Sequence, residues 1–239
     1  MARRPIPSVD RDFMDVWAFL RGHRVTPTSP SQALIGLARR VHRATYALIL
    51  WRFRLGQMPP HRRVFIEEIA SDALQILPQA VTGYGKTTRL LMRGIIENAL
   101  RHVYFSDHPI EFARMNRERK FYINTEQLLD YALIHPAIIE SETRFDAVQK
   151  LRTLYHELSA SVHGRGVRDL EMRKALKKIA VDVAQFGLQV KLVERCAEAT
   201  NFLLATFHKT EMRRFLLEDR QIILRTMSPR ARQVWSHLS

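Results

Sequence analysis

RGIIENALRHVYFSDHPIEF, residues Arg93–Phe112, and LYHELSASVHG, residues Leu154–Gly164, are the two stretches on which the reading of this chain turns. Each has a helical pattern that sets polar and ionisable groups where an ordinary core helix carries Leu or Val. Glu97, Asn98 and His102 lie in the first, and His156, Glu157, Ser159 and His163 in the second. Packed together, two such helices bury a polar cluster, which costs free energy unless its groups find partners. Ser159 and His163 are four residues apart and so share one helical face. They are expected to hydrogen-bond across to Asn98 or His102, forming a latch that fixes register at some cost in stability.

Helical periodicity continues outward on both sides. An amphipathic stretch at Asp10–Gly22 (Phe13, Val16, Trp17, Leu20) precedes a Pro- and Ser-rich loop at Thr26–Ser31, setting off an N-terminal arm over 1–28. Ser29, Pro30 and Gln32 have the pattern of a capping box with Ser29 as N-cap, opening a helix that ends near Gly56. Pro60–Leu77 follows, with Pro78 as its stop, and Pro78–Thr87 has the Pro and Gly content of a loop. Further helices are predicted at Leu90–Phe105, Pro109–Phe121 and Asn124–His135, the last closed by Pro136. Phe145–Val162 is ended by Gly164 and Gly166, since glycine accepts the positive φ that follows a helix. Asp169–Phe207 reads as one long helix or two meeting near Gly187. Thr210–Thr226 and a short turn opened by Ser228-Pro229 complete the chain. No strand pattern of useful length is present. The fold is expected to be all-α, an antiparallel helical bundle over 29–208 with a basic helical extension over 209–239.

The 239 residues carry 38 basic and 24 acidic side chains, a net charge of +14. Thirty of the basic residues are Arg and eight are Lys. Arg binds phosphate bidentately and stacks on bases, so this surplus favours RNA or DNA, directly or within a complex. A GC-rich genome would also raise Arg at solvated positions. The basic clusters fall at Arg114–Lys120, Arg165–Lys178 and Arg213–Arg232. Arg165, Arg168, Arg173, Arg213, Arg214, Arg220 and Arg225 are the first candidates for nucleic-acid contact. A single cysteine, Cys196, excludes an intramolecular disulfide framework and a Cys-based zinc cluster. No metal or cofactor is expected. No apolar run approaches the roughly eighteen residues that span a bilayer. The first residues, MARRPIPSVDRDF, lack an apolar signal core, so a cytoplasmic location is expected.

Three local motifs invite chemistry. Ala80–Thr87 (AVTGYGKT) comes near a phosphate-binding loop, but Ala80 stands where that loop needs glycine, and no strand precedes it. An interhelical loop is the better reading. Ser159 and His163 suggest a nucleophile and base, yet a mid-helix serine without an oxyanion loop is poorly placed for attack. Arg101 and His108 have the Arg-x4–6-His spacing of small helical ribonucleases. There Arg holds the scissile phosphate and His moves the proton of the attacking 2′-hydroxyl. With ten His and one residue in eight an Arg, about four such spacings arise by chance. Four are present: Arg54/His61, Arg101/His108, Arg230/His237 and Arg232/His237. His108 also precedes Pro109, and Asp107 can accept from free amides there, which reads as a helix junction.

Taken together, Arg93–Phe112 and Leu154–Gly164 resemble bacterial HEPN-type helical domains of abortive-infection and other anti-phage defence proteins, over roughly 90–204. The resemblance implies an antiparallel bundle, frequent dimerisation and, in active members, metal-independent RNA cleavage by an Arg-x4–6-His pair. At His163, which aligns with the family histidine, the positions that would hold the arginine are His156, Glu157 and Leu158. Either Arg101 and His108 act instead, with His163 as a further candidate, or the domain serves as a binding or assembly module. The expectation is a non-catalytic, basic subunit of a prokaryotic defence system that binds nucleic acid, a protein partner or a second copy of itself. The alternative is an endoribonuclease acting on host or phage RNA.

Overall fold

The computed structural model describes residues 6–163 and 181–238, the side chains of 161–163 and 238 excepted. Twelve α-helices, and no strand, are found among the described residues. They are α1 (Pro7–Gly22), α2 (Gln32–Arg54), α3 (Pro60–Val81), α4 (Gly85–Asp107), α5 (Pro109–Arg117) and α6 (Thr125–Ile134). Then come α7 (Pro136–Phe145), α8 (Ala147–His163), α9 (Val183–Phe207), α10 (Lys209–Arg213), α11 (Leu217–Thr226) and α12 (Pro229–Leu238). The chain is all-α.

Several helix starts are set by side chains that satisfy free backbone amides. Ser31 caps α2, its Oγ accepting from Leu34 N at 3.2 Å, two residues beyond the expected Ser29 cap. Asn124 caps α6 in a reciprocal box with Gln127, at 2.9 and 3.1 Å. Asp182 caps α9 through Gln185 N at 2.8 Å. At α8 the cap comes from the preceding helix. Buried Glu142 accepts from Val148 N and Gln149 N at 2.8 and 3.0 Å, placing its carboxylate at the positive end of the α8 dipole.

Two proline readings are corrected and a third is extended. Pro78 does not stop α3, which runs on to Val81. The carbonyl that loses its partner belongs to exposed Leu74, where water can reach it, and Ala80 and Val81 still gain burial. Pro136 does close α6, which ends at Ile134 with His135 held extended before it, and it also occupies the first turn of α7, a helix not foreseen, as Pro109 does in α5. The C-terminal Thr210–Thr226 stretch divides into α10 and α11, and Ser228-Pro229 opens a ten-residue helix. The expected Pro109–Phe121 helix ends early, at Arg117. Gly187 lies inside α9, which begins at Val183; the expected helix from Asp169 and the Gly164/Gly166 stop lie outside the described residues.

One hydrophobic cluster draws residues from every helix except α5. The α3–α4 pair, joined at Thr82–Tyr84, forms an antiparallel hairpin, and α9 packs against α2, α4 and α8. The N-terminal arm docks on the core, where Val9, Phe13, Trp17 and Leu20 are buried. Its polar face is tied down by Asp12 to His42 at 2.6 Å and Asp10 to Arg43 at 2.9 Å. Trp51, fully buried on α2, donates to Asn201 Oδ1 on α9 at 2.8 Å, and Asn201 Nδ2 donates to Thr226 Oγ1 on α11 at 3.0 Å. Cys196 is a small core residue whose thiol is pushed up to about 12 by burial.

Candidate nucleic-acid interface

The hydrophilic faces of α4 and α8 do meet, because the two helices pack together, but not through the expected residues. Tyr155 makes the crossing. Its hydroxyl donates to Glu97 Oε1 at 3.0 Å and accepts from Arg93 at 3.0 Å and from Thr125 at 3.1 Å. Arg93 closes the ring by donating to Glu97 at 3.0 Å while its guanidinium lies 5.1 Å from the Tyr155 ring centre. Four polar groups thereby satisfy one another at a half-buried seam.

The Ser159 latch is corrected. His102 is fully buried, but its ring turns away from α8. Nδ1 donates to Arg62 O at 2.6 Å, which leaves Nε2 as an acceptor, 2.7 Å from His208 Nε2. His208 is therefore the donor of that bond, at the junction of α9 and α10. Burial, reinforced by His208, holds His102 well below the usual imidazole range. Burial also lowers His208, against the opposing pull of Glu211. Asn98 is buried and accepts from Arg101 at 3.3 Å. Ser159 is buried, and its hydroxyl has no hydrogen-bond partner among the described residues. The His163 side chain lies outside the described residues.

Arg101 leans back along α4, reaching Asn98 at 3.3 Å and Glu97 at 3.6 Å. His108 occupies the N-cap position of α5 without a side-chain capping bond, and donates instead through Nδ1 to Tyr104 O at 2.7 Å. Its ring stacks on Tyr104, 4.1 Å between centres. Asp107 does not cap α5. It accepts from Tyr131 at 2.7 Å and from His135 Nε2 at 2.8 Å. Burial opposes its charge, yet these two bonds outweigh that and keep the carboxyl below its ordinary range. His135 Nδ1 accepts from Ala137 N at 3.1 Å, so its tautomer is fixed by partners on both sides. The Ala80–Thr87 segment joins two helices, with Gly83 at φ 85°, as an interhelical loop requires.

Half-buried Asp72, on α3, faces Gly94 of α4 so closely that a Cβ there would meet its Oδ2 at 2.4 Å. Burial first and Glu68 second raise its carboxyl to about 6. A raised folded-state value contributes stability below the unfolded value near 4 and loses it as pH rises through about 6. Asp72→Asn should therefore melt higher than wild type above pH ~6.5, by about 1 kcal/mol after allowing for solvent screening. The two should converge near pH ~4; thermal melts across that range check this.

A cleft of about 610 Å³ that combines charge with an apolar floor opens between α1, α2, α9 and α11. Val9, Ala44, Ile222 and Met227 form its floor. Arg40, Arg43, Lys191, Arg195 and Arg225 line it with only Glu194 and Glu198 against them, an excess of three positive charges. Arg40 spans Glu194 bidentately at 2.9 and 2.7 Å, and Arg195 reaches Glu157 at 2.9 Å. Such exposed pairs are worth at most about 1 kcal/mol each, so a phosphate can compete for them. Lys191 has no ion-pair partner among the described residues.

Of the Arg side chains chosen from sequence, Arg225 lines this cleft. Arg213 and Arg214 are exposed near the end of α10, and Arg220 is half-buried on α11. Arg165, Arg168 and Arg173 lie outside the described residues. Sequence reasoning passed over Arg40, Arg43, Lys191 and Arg195. Their i,i+3 and i,i+4 spacings on α2 and α9 were the available signal.

Among the described residues, no group of three or more His, Cys, Asp and Glu side chains could hold a metal ion, and no helix is long and apolar enough to cross a membrane. No family model, curated protein or solved structure matches the chain.

Proposed function

We propose that this chain is a basic, HEPN-like helical subunit of a prokaryotic anti-phage defence system, which binds nucleic acid without catalysis of its own. The observation that carries the binding is the cleft between α1, α2, α9 and α11, with its five cations over an apolar floor. Phosphates fit the guanidinium forks, and the apolar floor can take the bases between them. The defence setting rests on the resemblance of Arg93–Phe112 and Leu154–Gly164. A second copy or a nucleic-acid-processing protein is the partner such a subunit would work with, in the cytoplasm. The non-catalytic role is supported by where the candidate groups are engaged. Of the candidate catalytic groups, His108 donates to its own helix and Arg101 leans on Asn98, while the His163 side chain lies outside the described residues.

Arg40→Glu combined with Arg225→Glu tests the reading. Fluorescence anisotropy with labelled RNA and DNA should show binding by wild type and at least a tenfold loss in the double variant, with the nucleic acid intact. Unchanged affinity would remove the cleft from the account. A second reading, the metal-independent endoribonuclease, is favoured by the guanidinium of Arg101, which is about a third exposed and open to a phosphate. Cleavage of RNA that disappears in Arg101→Ala, His108→Ala or His163→Ala would establish it in place of the first.

A further inference from the structure

A second opening, of about 230 Å³, lies on the far side of α4, against the segment that follows α5. Its floor is the Phe65–Phe105 pair, buried and stacked 5.3 Å apart with an interplanar angle of 13°. Phe121 and Tyr122 wall it, and Arg101 stands at its edge. Arg114 sits over the outer ring of Phe121, 4.7 Å from its centre. Tyr122 is 70% exposed, a large ring held in water at the pocket margin. Nothing lining the pocket is acidic. The adjoining residues Arg119 and Lys120 are exposed and have no ion-pair partner among the described residues.

Size, shape and charge together narrow the occupant. The volume is below that of a site for a drug-sized ligand and suits one planar ring system. Aromatic walls and a guanidinium edge are the chemistry that stacks a nucleobase, and neighbouring cations hold the phosphates on either side of it. An aliphatic ligand would leave Arg119 and Lys120 without a role.

We infer that this pocket takes one unpaired base of a single-stranded nucleic acid, stacked between Tyr122 and the aromatic wall, with its flanking phosphates on Arg119 and Lys120. The inference rests on the nucleic-acid reading above and adds to it a preference for unpaired strands. A duplex keeps its bases stacked inside and cannot offer one to the pocket.

The test uses the full chain, a single-stranded oligonucleotide, its duplex and an abasic strand of equal length, each followed by anisotropy. The base-bearing strand should bind about tenfold more tightly than the abasic one. Tyr122→Ala should abolish that preference while binding the abasic strand as wild type does, and Tyr122→Phe should retain it. Exposure of Tyr122 keeps folding out of the comparison, and equal melting temperatures confirm this. Equal affinity for base-bearing and abasic strands overturns the inference, as does a Tyr122→Ala loss of equal size on both. Those results leave the nucleic-acid reading standing, whereas failure of every strand to bind removes both.

Discussion

His102→Ala is expected to destabilise the chain by about 3–4 kcal/mol, the largest effect of any single replacement proposed for it. The substitution empties a fully buried imidazole site and strips the partner from His208 Nε2–H. It also leaves the Arg62 carbonyl, which His102 Nδ1 serves, without that donor. A cavity and unpaired polar groups each cost more than the hydrogen bonds themselves contribute. The pair has a pH signature as well. Both imidazoles are lowered by burial, so the unfolded chain takes up their protons first as pH falls. Their contribution is present above the unfolded value near 6.5 and is lost progressively below it. Urea denaturation should therefore show wild type losing stability between about pH 7.5 and pH 5.5. His102→Gln, which cannot titrate, should lose less over the same interval. A His102→Ala cost under about 1 kcal/mol would mean that the pair is not sealed in the core.

Asn201→Ala should cost about 2–4 kcal/mol for a related reason. Asn201 is the middle of a buried chain from Trp51 on α2 to Thr226 on α11. Without it, the Trp51 indole N–H is left in the core with no acceptor, which costs its full desolvation penalty. Trp51→Phe removes that donor, so a double-mutant cycle isolates the coupling. The double variant should be more stable than the sum of the single losses by about 1 kcal/mol. Simple additivity would show that the bond does not tie α2 to α9.

The helices were legible in the sequence because apolar residues recur at helical spacing over most of the chain, and little else about the local structure was needed. Proline was the ambiguous letter. Pro136 could end one helix or begin the next; it does both, and the bonds that hold His135 at the α7 cap are what the local pattern did not show. Pro78 shows the reverse, since burial of Ala80 and Val81 carries α3 past it. The polar faces of α4 and α8 were legible as faces but not as contacts. His102 could not be paired with His208, 106 residues away, from any local pattern. Tyr155 was not among the polar residues singled out in its helix, yet its hydroxyl makes the crossing to Glu97. The cleft has the same origin. Arg40 and Arg225 sit on helices far apart in sequence, and packing of α2, α9 and α11 brings them around one opening. Phe65 and Phe105 are buried, and the pocket over them forms only because the segment after α5 brings Phe121 and Tyr122 to its wall, which no local pattern shows.

Affinity for a labelled single strand, measured as salt is raised, tests the central claim most directly. Binding through the cleft predicts a steep linear fall of log affinity with log salt, at roughly −0.7 per phosphate contact. Arg40→Glu with Arg225→Glu should make that slope shallower by at least about one contact. A slope near zero, or an identical slope in the double variant, would contradict a nucleic-acid interface at this cleft.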